Sequence, residues 1–247
     1  MKEYITAFVM TQSMFCALPF PCRAWKEEAR NKMLLFLPVV GLEIGVLWVL
    51  LDRVLRYFQI PYLVYGLAMC ALPYLATGLI HLDGFLDVTD AICSWRNLEQ
   101  RRTILKDSHV GSFAVVWCVF LLLAGFAVFS SASETRHVWC LLLIPVVSRC
   151  CSALAVINLK PMNTSQYAIT QKYPKWHSVL LSLLCLGGVI LSFVFWGKVG
   201  LVFVGEVLAY AYTLWRSYRS LDGMNGDISG FCLTIAELCA VAAWVLL

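Results

Sequence analysis

Charge is what this sequence has least of. Asp, Glu, Lys and Arg make up 14% of its 247 residues, where a soluble domain carries roughly 25%, so too little remains to cover a core in water. The 11 cysteines include no C-x-x-C pair, and a zinc site has no support. No internal repeat, low-complexity tract, Pro/Gly-rich linker or nucleic-acid-binding basic stripe is visible. These absences exclude a disordered chain, a disulfide-rich secreted scaffold and an ordinary soluble enzyme. Present instead are 61% hydrophobic residues and a mean hydropathy of +0.78. The chain reads as one integral-membrane domain over residues 1–247, an all-α polytopic helical bundle.

Seven stretches are expected to span: Met33–Leu51, Ile60–Ile80, Val110–Ser133, Val138–Leu159, Ser178–Gly197, Val199–Leu214 and Ile228–Leu247. Most have the ~20 apolar residues that a ~30 Å hydrocarbon slab asks of a helix. Only Glu43, Arg149, Glu206 and Glu237 put charge inside them. Lys198 alone separates the fifth from the sixth, so these two should form a tight antiparallel hairpin. With the N-terminus cytoplasmic, the inner segments hold fourteen Lys and Arg and the outer segments four, Arg53, Arg56, Arg136 and Lys198. That asymmetry predicts seven helices and an excess of positive charge facing anionic lipid on the inner face of the cell's inner membrane. Tyr4–Phe20 is apolar but broken by Thr6, Thr11, Gln12 and Ser13, and no small-residue cleavage site follows. It is expected to be an interfacial or re-entrant helix, followed by a charged juxtamembrane segment, Arg23–Lys32. Most cysteines fall within spans and read as small apolar packers.

Chemistry concentrates in three patches. In His81-Leu-Asp83-Gly-Phe-Leu-Asp87-Val-Thr-Asp90, a helical advance of about 100° per residue puts Asp83, Asp87 and Asp90 on one narrow face. Like charges so placed repel, and an interface adds desolvation. A divalent cation relieves both. All-oxygen ligands select Mg²⁺, Mn²⁺ or Ca²⁺ over zinc, and Mg²⁺ commonly shares its shell with substrate phosphates. His81 is a candidate base or phosphate partner, or a helix-end imidazole bonded to backbone. The second patch runs from Arg96 through Arg101, Arg102 and Lys106-Asp107-Ser108 to Gly111. Cations beside an acidic metal face suit a diphosphate, with Arg96, Arg102, Ser108 and Gly111 as candidate substrate contacts. The third is Asp222-Gly-Met-Asn225-Gly-Asp227-Ile-Ser-Gly230 entering the last span, with Glu237 ten residues beyond Asp227. Asn225, Glu237 and Arg149 are candidate substrate contacts, and Arg149 is also the natural partner of Glu237 in a structural ion pair. Glu43 and Glu206 stand apart, with packing or snorkelling expected of them. All three patches fall on the cation-rich side.

At these residues the chain resembles the cobalamin synthase family, adenosylcobinamide-GDP ribazoletransferase. The family signature H-L-D-G-x-x-D-x-x-D-G is matched from His81 to Asp90, M-K-D-S-x-x-G from Lys106 to Gly111, and G-G-x-T-G-D-x-x-G from Gly223 to Gly230, with Glu237 later. Departures are Ala91, Ala114, Asp222 and Asn225 in place of the family's Gly, Gly, Gly and Thr. Cys16-Ala17-Leu18-Pro19 stands where the family has T-R-[IL]-P. The resemblance implies the last assembly step of the adenosylcobalamin nucleotide loop. α-Ribazole, or its 5′-phosphate, attacks adenosylcobinamide-GDP and GMP leaves. It further implies Mg²⁺ on Asp83, Asp87 and Asp90, charge stabilisation by Lys106, and Asp107, Asp227 or His81 orienting or deprotonating the hydroxyl.

Two other readings share some of these features. A CDP-alcohol phosphatidyltransferase also has spans, Mg²⁺ and spaced aspartates, but expects an Asp-Gly-x-x-Ala-Arg run that is absent here. A small ion-coupled transporter would use Arg149, Glu206 and Glu237 as its path; against it, the aspartates lie at one face rather than mid-membrane. A homo-oligomer is compatible with all three readings.

Overall fold

The computed structural model describes residues 2–20, 22, 24–132, 137–162 and 173–247. Arg23, Arg136 and Lys172 from the charge count, and Ser133 at a span end, lie outside them. The described chain is all-α: α1 (Lys2–Phe15), α2 (Leu37–Tyr57), α3 (Tyr62–Ala76), α4 (Ile80–Cys93), α5 (Leu98–Ile104), α6 (Ser112–Ser130), α7 (Cys140–Asn158), α8 (Lys175–Trp196), α9 (Leu201–Leu221) and α10 (Gly226–Leu246), with a 3-10 stretch at Glu27–Phe36 leading into α2. Five helical runs are long and apolar enough to cross a membrane, or six if the bent pair α3 and α4 counts as one. The architecture is thus a polytopic membrane bundle, with every described cysteine a free thiol.

The second expected span is where the structure departs most from the pattern. Instead of running unbroken to Ile80, the chain turns 91° between α3 and α4. Gly78 and Leu79 take left-handed φ of 61° and 66°, which ends one helix and re-aims the next; Gly tolerates this without cost, whereas Leu does not. Pro73 also lacks an N–H for the carbonyl of Met69, and the Trp48 indole donates to that carbonyl at 2.8 Å. Thr77 Oγ1 donates to Pro73 O at 2.9 Å. The three aspartates therefore ride on a separate short helix.

α1 lies along the 3-10 stretch and the start of α2. Lys32 pairs with Glu3 at 2.6 Å, Thr11 Oγ1 donates to Met33 O at 2.9 Å, and Gln12 Nε2 donates to Glu43 Oε1. Glu43 is consequently tied to α1, and Ala7 and Met10 are fully buried.

The bundle is held together where side chains are missing. A methyl on Gly41 would lie 2.3 Å from Pro145 O, and one on Gly45 would lie 2.3 Å from Leu142 O. α2 and α7 therefore touch backbone to backbone, the small-residue contact that lets membrane helices pack without a hydrophobic drive. Gly187 on α8, by contrast, has open space around it. Gly45→Leu should then cost about 1–3 kcal/mol or more, as overpacking does, and lower Tm in detergent. Gly187→Leu should leave Tm where it is, and equal Tm values for the two variants would contradict the α2–α7 contact.

Candidate functional site

The site begins with a second backbone contact. A methyl on Gly84 would sit 2.8 Å from Asp227 O and 2.9 Å from Asp227 Cα, and one on Gly230 would sit 3.2 Å from His81 Cα. α4 thus presses against the first turns of α10. Asp83, Asp87 and Asp90 share the face that helical spacing predicts, and α10 adds Asp227 beside them. Asp83, Asp227 and Asp90 all act on the Asp87 charge. Asp83 is exposed, and the other three are half-buried.

Neighbouring groups fix two of these carboxylates. Asn225 caps α10, its Oδ1 accepting from Ile228 N at 2.9 Å, while its Nδ2 donates to Asp227 Oδ2 at 2.6 Å. The amide expected to be a substrate contact is buried and has one end on the first turn of α10 and the other on Asp227. Gly111, at the start of α6, lies against Asp90: a methyl there would be 2.1 Å from Oδ1. The close approach expected of this glycine is made to a carboxylate at the N-terminal, positive end of a helix. Among the described residues no three His, Cys, Asp or Glu side chains are grouped closely enough to hold a metal ion by themselves. The donors present are all carboxylate oxygen, the ligand type that hard divalent cations take alongside phosphate and water.

Below the carboxylates a cavity of about 80 Å³ opens between α1, α2, α4, α7 and α10. His81 and Asp83 line it from α4, Ser152 from α7, and Asp227 and Ser229 from α10. His81 is buried and stacks near-parallel on Phe15, ring centres 6.3 Å apart. Its Nε2 has no hydrogen-bond partner among the described residues. The Ser152 and Ser229 hydroxyls are hydrogen-bonded to each other. Neither serine stands out in sequence: Ser152 lies in an apolar span, and Ser229 is an unassigned position of its motif.

The basic patch has a more structural character than its composition suggests. Arg102 donates from Nε to Leu221 O at 3.0 Å and from Nη2 to Asp222 O at 2.7 Å, and it pairs with the Asp222 carboxylate at 3.3 Å. It closes the carbonyl end of α9, where cations are favoured. Arg96 is exposed in the turn after α4. Lys106 and Asp107 line an open groove with Glu99, Arg102 and Thr103, and Ser108 is exposed beside it. The His109 backbone N–H, and then its ring, hold the Asp107 carboxyl below the usual carboxylate range.

Deeper in the bundle, Arg149 pairs with Glu237. Arg149 Nη1 lies 2.6 Å from Glu237 Oε1, Ser148 Oγ donates to the same oxygen at 2.7 Å, and Arg149 Nη1 also donates to Pro145 O at 3.1 Å. The expected ion pair is present and links α7 to α10. Glu206 is fully buried, so it does not snorkel to the interface.

Comparison with known proteins gives one consistent answer. A family model described as cobalamin-5-phosphate synthase matches residues 7–245. An adenosylcobinamide-GDP ribazoletransferase of Clostridium perfringens (strain SM101 / Type A) is 32% identical, covering 98% of this chain and 98% of that protein. One of the same name from Brevibacillus brevis (strain 47 / JCM 6285 / NBRC 100599) is 31% identical over 97% of this chain and 99% of its own length. No solved structure matches the chain.

Removing one partner of a buried pair leaves the other charge unpaired, at a cost of roughly 3–5 kcal/mol, whereas replacing both by apolar side chains is often neutral. Arg149→Ala should therefore lower Tm sharply, and Arg149→Met combined with Glu237→Leu should restore most of it. Equal Tm for wild type and Arg149→Ala would show that the pair carries no structural weight.

Proposed function

The chain belongs to the cobalamin-5-phosphate synthase family, and we propose that it carries out the reaction its relatives are named for. It transfers adenosylcobinamide phosphate from adenosylcobinamide-GDP to α-ribazole or its 5′-phosphate, with release of GMP. The observation that carries this reading is the family match over nearly the whole chain, supported by the convergence of aspartates from two helices.

In the proposed mechanism Asp83, Asp87 and Asp90, with Asp227 beside them, hold Mg²⁺. Bound there, Mg²⁺ would supply neutralisation of diphosphate charge and stabilisation of the departing GMP oxygen. Asp227, oriented by Asn225, and His81, unpartnered at Nε2, are the two candidates for accepting the proton of the attacking hydroxyl, because both line the same cavity. Lys106, exposed at the groove, meets the charge that develops on the leaving group; Asp107, turned toward His109, orients the loop that carries it. Arg96 and Ser108 contact the nucleotide end of the donor. Arg102, Gly111 and Asn225 act indirectly, through α9, Asp90 and Asp227.

We further propose seven crossings in the inner membrane, with the N-terminus and the site cytoplasmic. The run Lys175–Leu221 has 47 residues, about 70 Å at 1.5 Å per residue, more than twice a ~30 Å slab. Gly197, with φ of 57°, supplies the break that divides it into α8 and α9. The fourteen-to-four distribution of Lys and Arg supports the orientation. Because Gln12 reaches Glu43 within α2, α1 is re-entrant rather than interfacial in this arrangement.

The reading is tested by Mg²⁺-dependent GMP release from adenosylcobinamide-GDP in the presence of α-ribazole. Asp83→Asn, Asp87→Asn and Asp90→Asn each keep size and remove one unit of ligand charge. Turnover should fall by orders of magnitude and the Mg²⁺ requirement should rise, with metal-free Tm unchanged or slightly higher as repulsion is relieved. Near-normal turnover at unchanged Mg²⁺ demand in all three would overturn the metal site.

A further inference from the structure

α4 has a rear face as well as an acidic one. At about 100° per residue, Phe85 and Ile92 point away from Asp83, Asp87 and Asp90. They line a pocket of about 140 Å³ completed by Trp117 of α6, Arg216 of α9, and Phe231 and Ile235 of α10. The Phe85 and Phe231 rings stack in its wall, centres 5.6 Å apart and 19° from parallel. Such a volume is close to the ~150 Å³ that admits one benzene ring, so about six carbons of a slender chain fill it. Among the described residues that line it, Arg216 alone is charged. Arg216 is exposed, as is Arg219 one turn on, and neither has an ion-pair partner among the described residues. Arg219 rests over the Trp215 ring, 5.3 Å from its centroid. Trp117, Tyr212 and Trp215 are exposed aromatics, of the kind that collects where a membrane meets water.

We propose that this pocket holds one anionic phospholipid. Its phosphate lies on Arg216, with Arg219 beside it, and about six carbons of one acyl chain run over Phe85, Phe231 and Ile235. Two cations with no carboxylate to answer them favour a head of net negative charge over a zwitterionic one. The position suits such a head. Arg216 stands five residues before the end of α9 at Leu221, about 8 Å along the axis, where an arginine stem covers apolar surface while its guanidinium reaches the interface. A free phosphate ion would leave the stacked rings and Ile235 uncovered, and a hydrocarbon without a head would leave Arg216 unanswered. The site is separate from the cavity beneath the carboxylates and does not rest on the reaction proposed above. It puts lipid behind the helix that presents Asp83, Asp87 and Asp90.

The test titrates the delipidated full chain in detergent with phosphatidylglycerol or phosphatidylcholine of matched acyl chains, and native mass spectrometry counts lipids per protein. Wild type should take up its first phosphatidylglycerol more tightly than phosphatidylcholine. Arg216→Gln removes one exposed cation and should weaken phosphatidylglycerol by about fivefold, the effect of one basic residue at an anionic surface, while phosphatidylcholine is unchanged. Lys26→Gln removes the same charge from another exposed position and should change neither lipid. Ile235→Trp fills the chain part of the pocket and should weaken both lipids. Equal affinity of the wild type for the two lipids would overturn the site, as would phosphatidylglycerol affinity unchanged in Arg216→Gln or lowered equally in Lys26→Gln. A dimer of chains that Ile235→Trp dissociates would give the pocket to a second copy and overturn it as well. Arg216→Gln alters an exposed side chain, so its result stands even where Ile235→Trp fails to fold.

Discussion

Two absent side chains set the geometry of everything else. Gly84 and Gly230 let α4 lie directly on the first turns of α10, and a Cβ on Gly84 would have to displace backbone. That contact turns a row of three aspartates on one helix into a cluster of four carboxylates drawn from two. It also places the cluster over a cavity whose far wall is supplied by α1, α2 and α7. The cost is electrostatic: Asp87 lies in the fields of three other carboxylates. In the proposed reaction a cation, followed by a diphosphate, would relieve that repulsion.

The interior balances its charges differently. Arg149 is completely buried, and its stem passes the hole at Gly41, where a methyl would meet Arg149 Cδ at 2.9 Å. Glu237 answers it from α10. The same helix that presents Asp227 at the site is therefore anchored ten residues on, about 15 Å along its axis, to α7, which is itself seated on α2 through Gly41 and Gly45. The chemistry at the face and the ion pair in the middle are two ends of one rigid element. This is why a polar pair deep in the bundle belongs to the architecture of the site without touching it.

Much of this was legible in the sequence because it follows from periodicity and charge. The scarcity of charge marked the bundle, the 100° advance put Asp83, Asp87 and Asp90 on one face, and Arg149 had few buried carboxylates to choose from. The break at Gly78 and Leu79 was hidden, since hydropathy continues smoothly across it and Leu rarely adopts a left-handed conformation. A cation or an amide in a motif does not reveal that Arg102 bonds the carbonyl end of α9 or that Asn225 caps α10. In hindsight, Asn225 three residues before Ile228 is an ordinary capping arrangement. Ser152 and Ser229 could not be paired from sequence: nothing local to either residue says that α7 and α10 meet there.

The central claim, that α4 and α10 together build a divalent-cation site at the membrane face, is tested most directly by binding rather than turnover. Mn²⁺ would replace Mg²⁺ in the full chain with adenosylcobinamide-GDP present, and free Mn²⁺ would be followed by electron paramagnetic resonance. The account predicts saturable loss of the free-ion signal in the wild type and its retention when Gly84→Val forces α4 away from Asp227, with the helical content of both proteins compared by circular dichroism. Equal Mn²⁺ uptake by wild type and a folded Gly84→Val variant would contradict it.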